Sequence, residues 1–141
     1  MSSVYQRALV GGNWADYTPT LAGFAIGNGT IDSRFFRTGK LVFVDDRITF
    51  GSTSTFVGGS PTLTLPSDAA SGSGGYVWFD GTAQETVSTG LWLVKWRSTG
   101  TNGTLSRRVS SSGELLALSS IAPFTWASGN ILTRRGFYEE A

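Results

Sequence analysis

Turn-forming residues interrupt this sequence about every 8 to 15 residues, and the segments between them are rich in β-branched and aromatic residues. That spacing is typical of an antiparallel β-sandwich, here with jelly-roll-like connections, or of a β-barrel. A helical fold finds little support, because no window of about 11 residues has a helical apolar stripe free of Gly and Pro. The best helical candidate, 111–120, is equally compatible with a strand or a loop. We therefore predict an all-β protein.

The segment 29–50 is the clearest predicted unit. The dipeptide Asn28-Gly29 favours a turn into a strand at 30–37, and Thr38-Gly39 favours a second turn into a strand at 40–50. In that second strand four apolar residues share one parity and are expected to face the core: Val42, Val44, Ile48 and Phe50. Asp46 interrupts this set. We expect a bulge or sheet end where its carboxylate reaches water; the alternative is a polar contact at a subunit interface.

Further strands are predicted at 75–82, 91–97, 104–110 and 130–138, with long surface loops at 51–61 and 66–75. Several of these strands carry large apolar groups on both faces, which requires a second sheet or a neighbouring subunit as cover. No linker or internal repeat divides the chain. We predict an N-terminal arm at 1–13 and a single β domain at 14–141.

The sequence contains neither cysteine nor histidine. Thiolate or imidazole metal sites, Ser-His-Asp triads and Cys-His dyads are therefore excluded, and we expect no enzyme activity, metal or cofactor. Net charge is +1 and charged residues make up 15%, which disfavours nucleic acid as a partner. No apolar run approaches the roughly 20 residues of a membrane span, and the first residues lack the apolar core of a signal peptide. A membrane partner is not expected.

Adjacent charged residues on strands point to opposite faces of a sheet, so the pair Asp45-Asp46 is poorly placed to chelate one ion. Two arginine pairs, Arg107-Arg108 and Arg134-Arg135, should each offer one guanidinium to each face. The simpler interpretation is solvent-facing arginines that protect a sheet edge from aggregation. The functional alternative is docking to an acidic protein surface or an anionic glycan.

The aromatic residues suggest a sugar-binding hypothesis, because Trp and Tyr rings can stack on pyranose rings. Trp14 and Tyr17 fall in a loop-like N-terminal segment, and we expect them to be exposed. Core or interface packing is favoured for the strand aromatics Trp78, Trp92 and Trp96 and for Trp126.

An ordered series of segments carries a resemblance to a known family. The series comprises WADYTPTLAG at 14–23, GNGT at 27–30, FRTGKLVFVDDRITFG at 36–51, LTLP at 63–66, FTWASGN at 124–130 and GFYEEA at 136–141. It resembles the small β domain of minor tail proteins and other virion proteins of phages that infect actinobacteria. The resemblance implies an outward-facing, trimeric virion protein without catalytic residues. Asp46 departs from that pattern, in which its position is usually apolar.

Within a virion two roles compete. About 13 residues precede the motif series, which leaves little room for a projecting shaft. We therefore expect a homotrimeric capsid decoration protein, made in the host bacterial cytoplasm, that binds the major capsid protein or other virion proteins on the outer head and stabilises the shell. The alternative is a minor tail or tail-tip protein that binds a receptor or a host surface glycan.

Overall fold

A computed structural model describes residues 14–70, 76–88, 90–99 and 103–141. In these residues the chain forms twelve β-strands and no helix. The predicted arm at 1–13 lies outside them. The strands are β1 (Ala15–Asp16), β2 (Leu21–Ala22), β3 (Phe24–Ala25), β4 (Thr30–Thr38), β5 (Leu41–Thr49), β6 (Thr55–Phe56), β7 (Thr62–Thr64), β8 (Val77–Gln84), β9 (Leu91–Ser98), β10 (Gly103–Val109), β11 (Leu115–Leu116) and β12 (Ile131–Glu139).

Nearly all strands belong to one antiparallel sheet, with the order β1-β4-β5-β12-β8-β9-β10-β7-β2 and β11 paired to β10. The remaining strands, β3 and β6, form a separate two-stranded sheet. The large sheet curls into a half-barrel, which confirms the all-β prediction. The last strand in the sequence, β12, occupies a central position between β5 and β8.

Residues 17–20 connect the two edges of the large sheet, since β1 is one edge strand and β2 is the other. We call these four residues the strap. At one end, the amide of Tyr17 donates to the carbonyl of Ser33 on β4 at 3.2 Å. At the other end, the amide of Thr64 on β7 donates to the carbonyl of Thr20 at 3.1 Å. Because so few residues separate the edges, the sheet must curl to bring them together.

The core lies inside the curl, and strand alternation decides which residues enter it. All four apolar residues predicted to face the core from 40–50 are buried, as are Val94 and Trp96 on β9. One end is closed by aromatic rings with neighbouring centroids 4.4–6.0 Å apart. These rings are Phe24, Phe50, Phe56, Trp92, Phe124 and Trp126. Each fully buried large apolar side chain contributes about 1.5–3 kcal/mol.

One prediction about local structure was wrong. The segment 51–61 is not entirely loop, because β6 pairs with β3 and places Phe56 against the core. Trp78, predicted to pack in a core or an interface, is 44% exposed on the outer face, so it does not belong to the core and its place in an interface stays a prediction. The ambiguous segment 111–120 turns into β11, and its Leu118 is buried.

Candidate interaction surface

Two acid–arginine pairs lie side by side on β5 and β12. The register places Asp46 opposite Arg134 and Asp45 opposite Arg135. Because neighbouring residues of a strand point to opposite faces, the first pair enters the core and the second faces outward.

The inner pair belongs to what we call the interior clasp, formed by Tyr17, Asp46 and Arg134. The guanidinium of Arg134 has five N–H donors, and all five are used. Their acceptors are the Asp46 carboxylate at 2.6 Å, the Tyr17 hydroxyl at 2.8 Å, the Thr64 carbonyl at 3.0 Å, the Leu63 carbonyl at 3.1 Å and the Thr104 hydroxyl. The clasp thus joins the middle of the sheet to β7, β10 and the strap.

Three predictions about these residues were wrong. Asp46 does not reach water and Arg134 does not face solvent, because each supplies the opposite charge that makes burial of the other tolerable. Tyr17 is largely enclosed, and its hydroxyl donates to the second oxygen of Asp46 at 2.6 Å. Burial is the main reason why the pKa of Tyr17 lies well above its ordinary value; the Asp46 charge adds to the shift and the Arg134 charge opposes it.

On the outer face, charged side chains form one row across seven neighbouring strands. We call this row the charge ladder, and its members in strand order are Asp16, Arg34, Asp45, Arg135, Asp80, Lys95 and Arg107. Asp45 accepts from Arg34 Nη2 at 2.9 Å and from Arg135 Nε at 3.2 Å, while Lys95 contacts Asp80. The signs alternate up to Lys95, so the interior of the ladder is largely neutralised.

Beside the ladder runs a row of aromatic rings that we call the aromatic belt: Trp14, Phe36, Phe43, Phe137, Trp78 and Tyr76. Register places Phe36 opposite Phe43 and Phe43 opposite Phe137. The centroids of successive rings lie 4.9 Å apart for Trp14 and Phe36, 4.6 Å for Phe36 and Phe43, and 5.6 Å for Phe43 and Phe137. The pairing of Arg135 with Asp80 brings Trp78 next to Phe137 on the neighbouring strand.

The belt exposes much apolar surface. Phe137 is 58% exposed, and Trp14, Trp78 and Tyr76 are 40–44% exposed. Grooves of about 360 and 390 Å³ lie along the two flanks of the Phe137 ring. A contiguous exposed apolar patch with a polar rim typically marks a binding surface.

Several belt rings have one face covered by a neighbouring side chain. The rings of Phe36 and Phe43 stack with an interplanar angle of 1°, so each covers one face of the other. Arg34 lies over the Trp14 ring at 4.7 Å, and Arg97 lies over the Tyr76 ring at 4.8 Å. Stacking on a pyranose needs a free ring face, so this arrangement suits packing against protein side chains better than a long sugar platform.

The remaining candidate residues fall in different places. Trp14 is exposed in the belt, and Arg135 and Arg107 belong to the charge ladder. Arg108 instead donates from Nε to the carbonyl of Ala117 at 3.1 Å and holds the segment after β11. Phe137 was not predicted from the sequence to be a surface residue. Its parity with Arg135 on β12 would have indicated that it points outward.

The described part of the chain has no group of three or more acidic side chains placed to hold a metal ion. Within the same residues there is no helix long and apolar enough to cross a membrane. No protein-family model, curated protein or solved structure matches this chain.

Proposed function

We propose that this protein is a structural component of a phage virion, a capsid decoration protein that binds the outer head surface through the aromatic belt and stabilises the shell. The exposure of the belt is the observation that carries the proposal. The family resemblance of the motif series supports the virion setting, and the covered ring faces support a protein partner over an extended glycan.

The belt is dispensable for closing the core, which makes it available to a partner. The curled sheet, the aromatic end and the interior clasp enclose the core without Phe137 or Trp78. Burying such a ring against a partner contributes about 1.5–3 kcal/mol, and aromatic anchors of this kind dominate many interfaces. A decoration protein present in many copies needs only a few such anchors per copy.

A non-catalytic role is part of the proposal. Among the described carboxylates, Asp46 is enclosed and held by Arg134 and Tyr17, and Asp45 accepts from two arginines. Neither is free to act as a general acid or base. The sequence supplies no histidine or cysteine that could replace them.

The first test is the copy number and position of the protein in purified virions. Quantitative mass spectrometry should find many copies per particle, and electron microscopy should place them on the outside of the head. A handful of copies at the tail tip would contradict a decoration role.

The second test asks whether the belt is the shell-binding surface. Phe137→Ser should weaken binding to undecorated capsids by about tenfold or more, measured by co-sedimentation. Leu93→Ser is the matched control, because Leu93 is 62% exposed on β9 outside the belt. Equal losses in both variants would assign shell binding to another surface.

A tail or tail-tip protein that binds a glycan is the second candidate. It is favoured by Trp78, which lies with Phe137 at a groove that also presents the carboxylates of Asp80 and Glu139. Binding to host cell envelopes or to a glycan array that is lost in Trp78→Ala would support it. Shell binding without any glycan binding would reject it.

A further inference from the structure

The two ends of the charge ladder carry opposite charges. Neither terminal charge is neutralised by the adjacent side chain of the ladder. At one end Asp16 lies opposite Arg34, but that guanidinium binds Asp45. At the other end Arg107 lies opposite Lys95, whose ammonium contacts Asp80. Neither Asp16 nor Arg107 makes an ion pair with any residue that the structure describes.

The surroundings extend each end into a larger charged area. Next to Asp16, the exposed Asp32 also lacks an ion pair among the described side chains, and both line a concavity of about 630 Å³ together with Arg34 and Arg47. Strands β9 and β10 contain no acidic residue. They carry four cations: Lys95, Arg97, Arg107 and Arg108.

Arg107 lies directly across from Lys95, and like charges in that position destabilise a sheet. A carboxylate brought to Arg107 from outside would relieve this repulsion and continue the alternation of the ladder. Asp16, at the far end of the same row, offers a carboxylate that likewise has no ion-pair partner among the described residues.

We infer that the two ends bind each other between copies of this chain, with the Arg107 end of one copy against the Asp16 and Asp32 end of the next. The two patches differ from each other, so the contact is head-to-tail, and head-to-tail contacts form a ring when the rotation between copies closes. The inference rests on the proposed virion function and names the surface that would assemble the trimer expected from the family resemblance. An acidic partner protein would match the Arg107 end but leave the Asp16 end without a role.

The experiment is a charge swap on the full chain, read out by sedimentation velocity over a range of protein concentrations. Arg107→Glu and Asp16→Arg should each raise the dissociation constant of the assembly by about tenfold or more. The double variant carrying both changes should return most of the affinity, because it restores an opposite-charge pair at each contact. Lys40→Glu, the same charge change at the exposed β4–β5 turn, should leave association unchanged.

Restoration by the double variant separates a broken contact from a folding defect. A wild-type chain that stays monomeric at all concentrations would overturn the inference, and so would association that Arg107→Glu leaves intact or the double variant fails to restore. The virion measurements are independent of this result. A protein abundant on heads but insensitive to the swap keeps its proposed function and loses only this interface.

Discussion

The two acid–arginine pairs on β5 and β12 are neighbours in sequence, yet they exist in different environments. Both side chains of the Asp46–Arg134 pair are 0% exposed. In the Asp45–Arg135 pair the exposures are 19% and 76%. The residue types and the strand pairing are the same, and the difference in solvent exposure distinguishes a structural element of the core from a surface contact.

The energetic difference follows from desolvation. Removing one partner of a buried ion pair leaves an uncompensated charge inside the protein and typically costs about 3–5 kcal/mol. Water solvates both side chains of an exposed ion pair, so the pair contributes only about 0–1 kcal/mol to the free energy of unfolding. Mutations at the four positions can therefore test how far the two pairs differ.

The largest effect is expected for Arg134→Met, which leaves the buried Asp46 carboxylate without its opposite charge and removes a hydrogen bond from the carbonyls of Leu63 and Thr64. The free energy of unfolding in urea should fall by about 3–5 kcal/mol. Arg135→Met on the outer face is the matched control, with an expected change below about 1 kcal/mol. Similar losses in the two variants would show that exposure does not govern their contributions.

Tyr17→Phe removes only the hydroxyl through which the strap contacts Asp46 and Arg134. It should lower the free energy of unfolding by about 1–3 kcal/mol, because Asp46 and Arg134 each lose a hydrogen bond in a buried site. Tyr76→Phe removes a hydroxyl from an exposed ring and serves as the control. A Tyr17→Phe variant as stable as the wild type would mean that the strap is held without the clasp.

The raised pKa of Tyr17 makes the clasp sensitive to alkali. Above about pH 10 the unfolded chain loses the phenolic proton while the folded protein retains it, so unfolding becomes more favourable as the pH rises. The slope should approach about 1.4 kcal/mol per pH unit for this group. Tyr17→Phe should show a shallower alkaline loss, although Tyr138, whose pKa burial also raises, contributes in both proteins. Identical alkaline profiles would contradict this assignment.

The smallest effect is expected for Asp45→Asn on the outer face. At low ionic strength it should cost less than about 1 kcal/mol, and near 1 M salt the difference from the wild type should nearly vanish because salt screens exposed charges. Asp46→Asn is the comparison, and its larger loss should persist at high salt. A loss in Asp45→Asn that does not respond to salt would point to a packing role for that carboxylate.

Much of the fold could be predicted because its signals are local. Turn dipeptides marked the β4–β5 hairpin, and residue parity identified Val42, Val44 and Ile48 as core. The two-residue strand β6 was missed, because it is too short to show alternation and pairs with β3 some 30 residues away in the chain.

The functional surface was less accessible from sequence. Asp46 and Arg134 each share the parity of buried neighbours, but 88 residues separate them, and only their pairing explains why both charges can be buried. The aromatic belt also depends on pairing between distant segments, since Phe43 and Phe137 become neighbours only through the β5–β12 register. Local patterns indicate which face a residue occupies, whereas the strand register decides which residues meet there.

The central position of β12 has a consequence for folding kinetics. Hairpins such as β4–β5 and β8–β9 close short loops and can form early, but the half-barrel remains divided until β12 enters between them. That step pairs residues about 90 positions apart, so its loop-closure entropy must be overcome before the non-local contacts stabilise the chain. Docking of β12 should therefore limit the folding rate, and deleting this strand would leave two open sheet edges that can pair with other chains.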